Sequence, residues 1–105
     1  METTKNTAAE TKNEAQEYAE IIAREVRDAF INGTMGEVAE AIMEVKTIRN
    51  SYDEVCGVKL TRTIGGPTCW IDTDDQIVYC SWGGEFGHCG LWADECAELE
   101  AYFIY

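Results

Sequence analysis

The chain has 105 residues, of which 46% are apolar, and it carries 20 acidic residues against 8 basic ones, a net charge of −12. This length predicts a single domain, residues 1–105, with one modest core, and the apolar fraction argues against wholesale disorder. No run approaches the roughly 18 apolar residues of a membrane-spanning helix, and no charged-then-apolar leader opens the chain, so we expect a cytoplasmic protein.

The first third of the sequence predicts a helical hairpin that follows a polar tail over residues 1–7. Helical spacing predicts a first helix from about Ala8 to Asn32, and Gly33 is a suitable C-terminal stop. Its expected apolar stripe comprises Tyr18, Ile22, Val26, Ala29 and Phe30. Thr34, followed three residues later by Glu37, is the capping-box pattern that starts a second helix. The expected apolar face of that helix comprises Met35, Val38, Ala39, Ile42 and Val45.

The middle of the chain predicts three strands. From Val58 to Ile64 apolar residues fall mostly on one parity, which is typical of a strand. The turn Gly65-Gly66-Pro67 then leads into a second strand, Thr68 to Asp72. A polar turn at 73–75 precedes a third strand, Gln76 to Trp82, rich in β-branched and aromatic residues. Short turns between consecutive strands predict an antiparallel meander.

A glycine-rich loop, Glu85 to Leu91, and a last helix from about Asp94 to Phe103 complete the chain, with Asp94 as the candidate cap. The predicted fold class is therefore α+β, with an N-terminal helical hairpin, a three-stranded antiparallel meander and a C-terminal helix, in the order ααβββα. We expect the three tryptophans to pack in the core.

The five cysteines are odd in number and irregularly spaced, which favours reduced thiols over a disulfide scaffold. Cys69 and Cys80 could face each other across the second hairpin. His88 is the sole histidine, and Cys89 beside it should point the other way, so a Cys–His nucleophile is disfavoured. A zinc site from His88 with cysteines lacks the short chelate pairs that make such a site convincing. The sequence therefore predicts no cofactor, no metal and no catalytic activity.

The charge is distributed unevenly along the chain. Residues 63–105 contain eight acids and neither lysine nor arginine. Such a field repels nucleic acid and attracts basic surfaces. Rows of carboxylates can imitate the phosphates of a nucleic acid, and a protein that grips phosphates would then accept them. The candidate partner-binding residues are Asp72, Asp74, Asp75, Glu85, Asp94, Glu95, Glu98 and Glu100.

Residues 57–105 carry a pattern that resembles small acidic proteins of phages and other mobile elements. The pattern consists of Ile64-Gly65-Gly66-Pro67, Trp70-Ile71-Asp72 and Ser81-Trp82-Gly83-Gly84, with the aromatic pair Tyr102-Phe103 in the closing helix. Some proteins of this kind are anti-CRISPR inhibitors that mimic DNA and block target binding by a CRISPR effector complex. The resemblance implies a non-catalytic inhibitor of such a host complex.

Three alternatives stay open at this stage. The same mimicry could be directed at a restriction enzyme. A small metal-binding or redox module could use His88 and the cysteines. An acidic accessory protein could bind a basic host partner unrelated to DNA.

Overall fold

The computed structural model describes residues 13–104 and shows an α+β fold built on a five-stranded antiparallel sheet. The strands lie side by side in chain order, so the sheet is a simple meander. The elements in chain order are α1 (Glu14–Asn32), α2 (Met35–Glu40), β1 (Glu44–Arg49), β2 (Val55–Thr63), β3 (Thr68–Asp72), β4 (Ile77–Trp82), β5 (Glu85–Gly90) and α3 (Ala93–Glu100). The predicted ααβββα order is therefore wrong: two further strands flank the predicted three. The predicted tail over residues 1–7 and the helix start at Ala8 lie outside the described residues.

Helix α1 begins and ends where local chemistry supplies caps. The Asn13 side chain accepts a hydrogen bond from the backbone N–H of Gln16 at 2.5 Å, which satisfies one free donor of the first turn. Gly33 takes a left-handed conformation with φ 75° and donates its N–H to the Ala29 carbonyl. The buried face is formed largely by small residues, namely Ala15, Ala19, Ile22, Ala23, Val26 and Ala29. Tyr18, predicted on this face, is 37% exposed.

The predicted second helix ends early, because its C-terminal part forms β1. Helix α2 stops at Glu40, and residues 44–49 pair with β2, with Val45 opposite Leu60. Val45 continues the helical spacing from Ile42, but it also begins a stretch with β-branched residues at 45, 47 and 48, which suits a strand.

The predicted glycine-rich loop is strand β5. Gly83 and Gly84, with φ of 59° and 85°, form a two-residue turn whose geometry matches the twist of a hairpin. Trp82 then pairs with Glu85 and Ile77 with Gly90. Gly87 in the middle of β5 admits the backbone of α1: a methyl group there would lie 2.6 Å from the carbonyl carbon of Ala15. The glycine therefore marks close helix–sheet packing rather than a loop.

One face of the sheet and the helices enclose the core, which contains Val58, Leu60, Cys69, Ile71 and Val78 together with the buried residues of all three helices. Cys69 and Cys80 are directly opposite in the β3–β4 pairing, with Cα atoms 4.1 Å apart, and they form a disulfide. The prediction of reduced thiols is therefore wrong for these two residues. Their position opposite each other across the hairpin is the one that the sequence analysis considered possible. Cys56, Cys89 and Cys96 are free thiols.

The opposite face of the sheet, here called the outer face, has no described helix over it. It presents Trp70 and Tyr79, a directly opposed pair in the β3–β4 ladder. The prediction that the tryptophans lie in the core is wrong: Trp70 is half-buried, Trp82 is 36% exposed and Trp92 is 50% exposed. Within the described residues no helix is long and apolar enough to cross a membrane.

Candidate partner-binding surface

The β3–β4 turn and the start of α3 lie at one end of the sheet, and these two segments contain, apart from the buried Glu95, six of the eight predicted acids. The β3–β4 turn reaches this end, and so does the exit of β5, because Ile77 pairs with Gly90 and the Leu91 N–H donates to the Gln76 carbonyl at 2.8 Å. Helix α3 starts at this point, three residues after β5 ends. We call the group formed by Asp72, Asp74, Asp75, Asp94, Glu98 and Glu100 the acidic end.

The aspartates of the turn are held by a network of hydrogen bonds. The Asp72 carboxylate accepts the N–H of Asp75 at 2.9 Å, and the Asp72 carbonyl accepts that of Gln76 at 2.8 Å. Buried Thr73 ties the turn to β2, since its hydroxyl accepts the N–H of Val58 at 2.9 Å. Asp74 projects at the exposed tip. The turn therefore presents its carboxylates from a fixed backbone, which lowers the entropy cost of binding.

Helix α3 supplies the other three carboxylates. Asp94 and Glu98 are one helical turn apart, a spacing that places their Cβ atoms ~5–6 Å from each other. The thiol of Cys96 lies on the buried side of the helix. Burial, together with the charges of Glu95, Glu100 and Asp72, raises the pKa of this thiol to about 12.

No carboxylate of the acidic end forms an ion pair with a described residue. The three ion pairs among described residues join Arg27 to Glu95, Arg49 to Asp53 and Arg62 to Glu25. One candidate cation is Lys59, which is opposite Asp72 in the β2–β3 pairing. Its Nζ lies instead 4.8 Å from the centre of the Trp70 ring, in a cation–π contact.

Glu95 is not a surface residue, so its placement in the predicted contact set is wrong. Its side chain is fully buried, with Oε2 2.9 Å from Nε of Arg27, and Oε1 accepts the N–H of Trp92 at 2.6 Å. The Arg27 guanidinium also lies 3.6 Å above the Trp92 ring. The hydrogen bond to Glu95 raises the pKa of Arg27. Glu95 therefore caps α3 and anchors it to α1, and no signal in the sequence distinguishes it from its exposed neighbours.

Glu85 is exposed, but it belongs to the opposite end of the sheet. It opens β5 after the Gly83-Gly84 turn, five residues and about 17 Å along the strand from Gly90. Its carboxylate accepts the N–H of Glu14 at 3.1 Å, in the first turn of α1, where a negative charge is favourable. It is therefore a helix-terminus contact and not part of the acidic end.

The three-dimensional charge distribution differs from the distribution along the chain. The three helices together hold eleven acids and two arginines, whereas residues 44–63, the β1–β2 hairpin, hold three acids and four bases. An open groove of about 400 Å³ between α1 and α2 is lined in part by Glu25, Asp28 and Glu37, with Arg24 beside them. The acidic faces of α1 and α2 thus extend the negative field beyond the acidic end.

An aromatic row on the outer face borders the acidic end. Trp70 stacks on Tyr79 with ring centres 5.6 Å apart, and Phe86 completes the row at 6.0 Å from Tyr79. The Tyr79 hydroxyl donates to the Asp75 carboxylate at 2.8 Å, which joins the row to the turn and raises the pKa of Tyr79. Tryptophan and tyrosine are among the side chains that most often dominate protein interfaces, and both are partly exposed in this row.

The histidine and the cysteines are not brought together. His88 is opposite Tyr79 on the outer face, whereas Cys89 is opposite Val78 on the core face, so the two side chains leave β5 in opposite directions. Among the described residues no group of three histidine, cysteine or acidic side chains is arranged to hold a metal ion. The geometry gives the metal-binding alternative no support.

Comparison with known proteins gives no relative from which a role could be carried over: no family model, curated protein or solved structure matches the chain.

Proposed function

We propose that the protein is a non-catalytic inhibitor that binds the nucleic-acid-binding surface of a bacterial CRISPR effector complex and blocks its access to target DNA. The supporting observation is the acidic end. Its six carboxylates come from the β3–β4 turn and from α3, which begins at the same end of the sheet, and none of them forms an ion pair with a described lysine or arginine. The CRISPR target itself comes from the resemblance of residues 57–105 to phage-encoded inhibitors.

The chemistry of the proposed contact follows from phosphate recognition. A protein that holds DNA arranges lysines and arginines to meet successive phosphates, and those side chains form equally strong charge-assisted hydrogen bonds with carboxylates. The acidic end offers carboxylates on a turn that is tied to β2 and on a capped helix. The aromatic row beside it adds apolar area that a nucleic-acid backbone lacks. Charge would thus steer the encounter, and the aromatic side chains would slow dissociation.

The test begins with affinity capture from a bacterial host lysate, followed by binding measurements with the complex that is recovered. The variant D74K/D94K reverses two exposed charges of the acidic end. It leaves the hydrogen bonds of Asp72 and Asp75 in place. The matched control E17K/E40K makes the same change in net charge at exposed positions that are not part of the acidic end. We expect capture of a nucleic-acid-handling complex by the native protein and by the control, and its loss with D74K/D94K.

With the purified complex, affinity for D74K/D94K should fall by at least tenfold, because like charges would replace two attractive contacts at the interface. Affinity of the native protein should also fall steeply as salt concentration rises, since screening weakens exposed charge pairs. Equal affinities for the two variants would reject the acidic end as the contact surface. An affinity that does not change with salt concentration would reject charge mimicry and indicate that the aromatic row forms the contact.

The identity of the captured complex separates the proposal from its nearest alternatives. Recovery of a restriction enzyme would assign the same surface to anti-restriction mimicry. Recovery of a basic protein with no nucleic-acid function would assign the protein to the accessory class. In both cases the dependence on Asp74 and Asp94 is expected to be the same, because the recognised chemistry is the same. Inhibition of target-DNA binding by a purified CRISPR complex is the result that the proposal specifically requires.

A further inference from the structure

We propose that the free edge of β1 is a self-association site, through which two copies of the chain pair their β1 strands antiparallel and form one continuous ten-stranded sheet. The inference rests on the sheet edges and on the charges of β1, and it is independent of the proposed inhibitor function. Its occupant is a second copy of this chain. The residues involved are 43–47 of each copy.

The two edges of the sheet differ in their availability. Strand β5 is covered by the start of α1: the Gln16 side chain donates to the His88 carbonyl at 2.8 Å and accepts the His88 N–H at 3.0 Å. Asn13 donates to the Phe86 carbonyl in the same way. These side-chain amides occupy the backbone groups that a further strand would need. Within the described chain, β1 pairs only with β2, and its other edge carries no such cover.

The helices also stop short of β1. Val45 lies on the same side of the sheet as buried Leu60, yet 42% of its surface is exposed, and the preceding Met43 is 62% exposed. The core face thus continues past β2 as an uncovered apolar margin. A second sheet added at this edge would bury that margin on both copies, which is a favourable transfer of apolar surface from water.

Charge complementarity selects a second copy and a register. Two antiparallel copies related by a two-fold axis must pair residues of the same parity, because opposed residues share a face. With Val45 opposite its own symmetry mate, each Glu44 meets the Lys46 of the other copy. A register centred on Lys46 would oppose the two lysines. A register centred on Thr47 would place Lys46 opposite Ile48. Only the first of these three registers places an opposite charge across from both Glu44 and Lys46.

The wider electrostatics favour the same contact. Residues 44–63 hold four bases and three acids, while the rest of the chain holds four bases and seventeen acids. Two copies of a molecule with net charge −12 therefore repel each other least when their β1–β2 hairpins meet. Lysine on an edge strand ordinarily discourages pairing with other chains. In this register Lys46 lies opposite the Glu44 carboxylate of the second copy. The lysine would therefore disfavour pairing with unrelated strands but allow pairing with a second copy of this chain.

The experiment is a charge exchange followed by sedimentation over a wide range of protein concentration. The native protein should sediment as a dimer that dissociates on dilution. E44K alone and K46E alone each create two like-charge oppositions in the dimer, so each should weaken dimerisation by about tenfold or more. An equimolar mixture of the two variants should recover the dimer, because every opposition is then between unlike charges. The double variant E44K/K46E should recover it as well.

E54K is the matched control, since it alters an exposed glutamate of the same hairpin beyond the paired segment and should dimerise like the native protein. Glu44 and Lys46 are both exposed, so circular dichroism of the variants should remain native. A native protein that stays monomeric at every concentration would overturn the proposal and leave the edge to a strand of another protein. Single variants that dimerise as well as the native chain, or a mixture that stays monomeric, would overturn this register.

Discussion

Replacing Gly87 with alanine should destabilise the protein severely, although the change adds only one methyl group. The added Cβ would lie 2.6 Å from the carbonyl carbon of Ala15, and the obstructing atoms belong to the backbone of α1. An ordinary contact between carbon atoms needs about 3.5 Å, so the helix would have to retreat from β5 by about 1 Å. A side chain could rotate away from such a clash, but a helix backbone held by caps at both ends cannot.

The expected cost follows from the contacts that such a retreat disturbs. Overpacking of this kind costs roughly 1–3 kcal/mol. The two hydrogen bonds between the Gln16 side chain and the His88 backbone would lengthen, at a net cost of about 1 kcal/mol each. Restricting the unfolded chain returns roughly 0.4–1 kcal/mol. We therefore expect the free energy of unfolding to fall by about 3 kcal/mol, which lowers the melting temperature by roughly 12 °C or more.

Urea unfolding followed by tryptophan fluorescence measures this loss, and Gly90 provides the control. Gly90 ends the same strand, and a methyl group built there meets nothing within 4 Å. Gly90→Ala should therefore change the free energy of unfolding by less than about 1 kcal/mol. If Gly87→Ala proves as stable as Gly90→Ala, the close approach of α1 to β5 is not a feature of the folded protein, and the packing described above is incorrect.

Two further predictions concern buried ionisable groups. Arg27→Met should lower the free energy of unfolding in urea titrations, because it keeps the stem of the side chain but removes the ion-pair partner of the buried Glu95 carboxylate. A free energy of unfolding equal to that of the native protein would show that Glu95 does not depend on this partner. The pKa of Cys96, raised to about 12, lies above that of an unfolded thiol, so folding favours the protonated form. Stability should therefore decline as the pH rises from about 9 towards 12, and Cys96→Ala should remove part of the decline; identical pH profiles would contradict the burial of this thiol.

Local patterns in the sequence were sufficient for the central hairpin. Strand β3 has the predicted bounds, and β4 starts one residue later than predicted, because alternation and a polar turn specify both strands. The missed strand β5 also had a local signal. Gly83-Gly84 between two runs with strand character is a two-residue hairpin turn, but the glycines of residues 85–90 suggested a loop. A glycine is required at position 87 because the backbone of α1 packs against it. The contacting part of that helix is more than seventy residues away in sequence, so no local pattern around Gly87 indicates the contact.

The candidate surface was predictable in part for the same reason. Charge counting identified the acids of the turn and of α3, and the meander brought them to one end of the sheet. Charge counting could not distinguish Glu95 from Asp94 and Glu98, because burial of Glu95 depends on Arg27, 68 residues earlier. Glu85 was grouped with them because it belongs to the same part of the sequence without lysine or arginine, residues 63–105. In the structure Glu85 is at the start of β5, and the length of that strand separates it from α3.

The amides of Asn13 and Gln16 on β5 have a consequence for assembly. A sheet that can accept a neighbour on both sides can grow without limit, as fibrils do, whereas this sheet can accept one on a single side. Pairing at β1 uses the remaining open side of each copy, so the association is closed and stops at two chains.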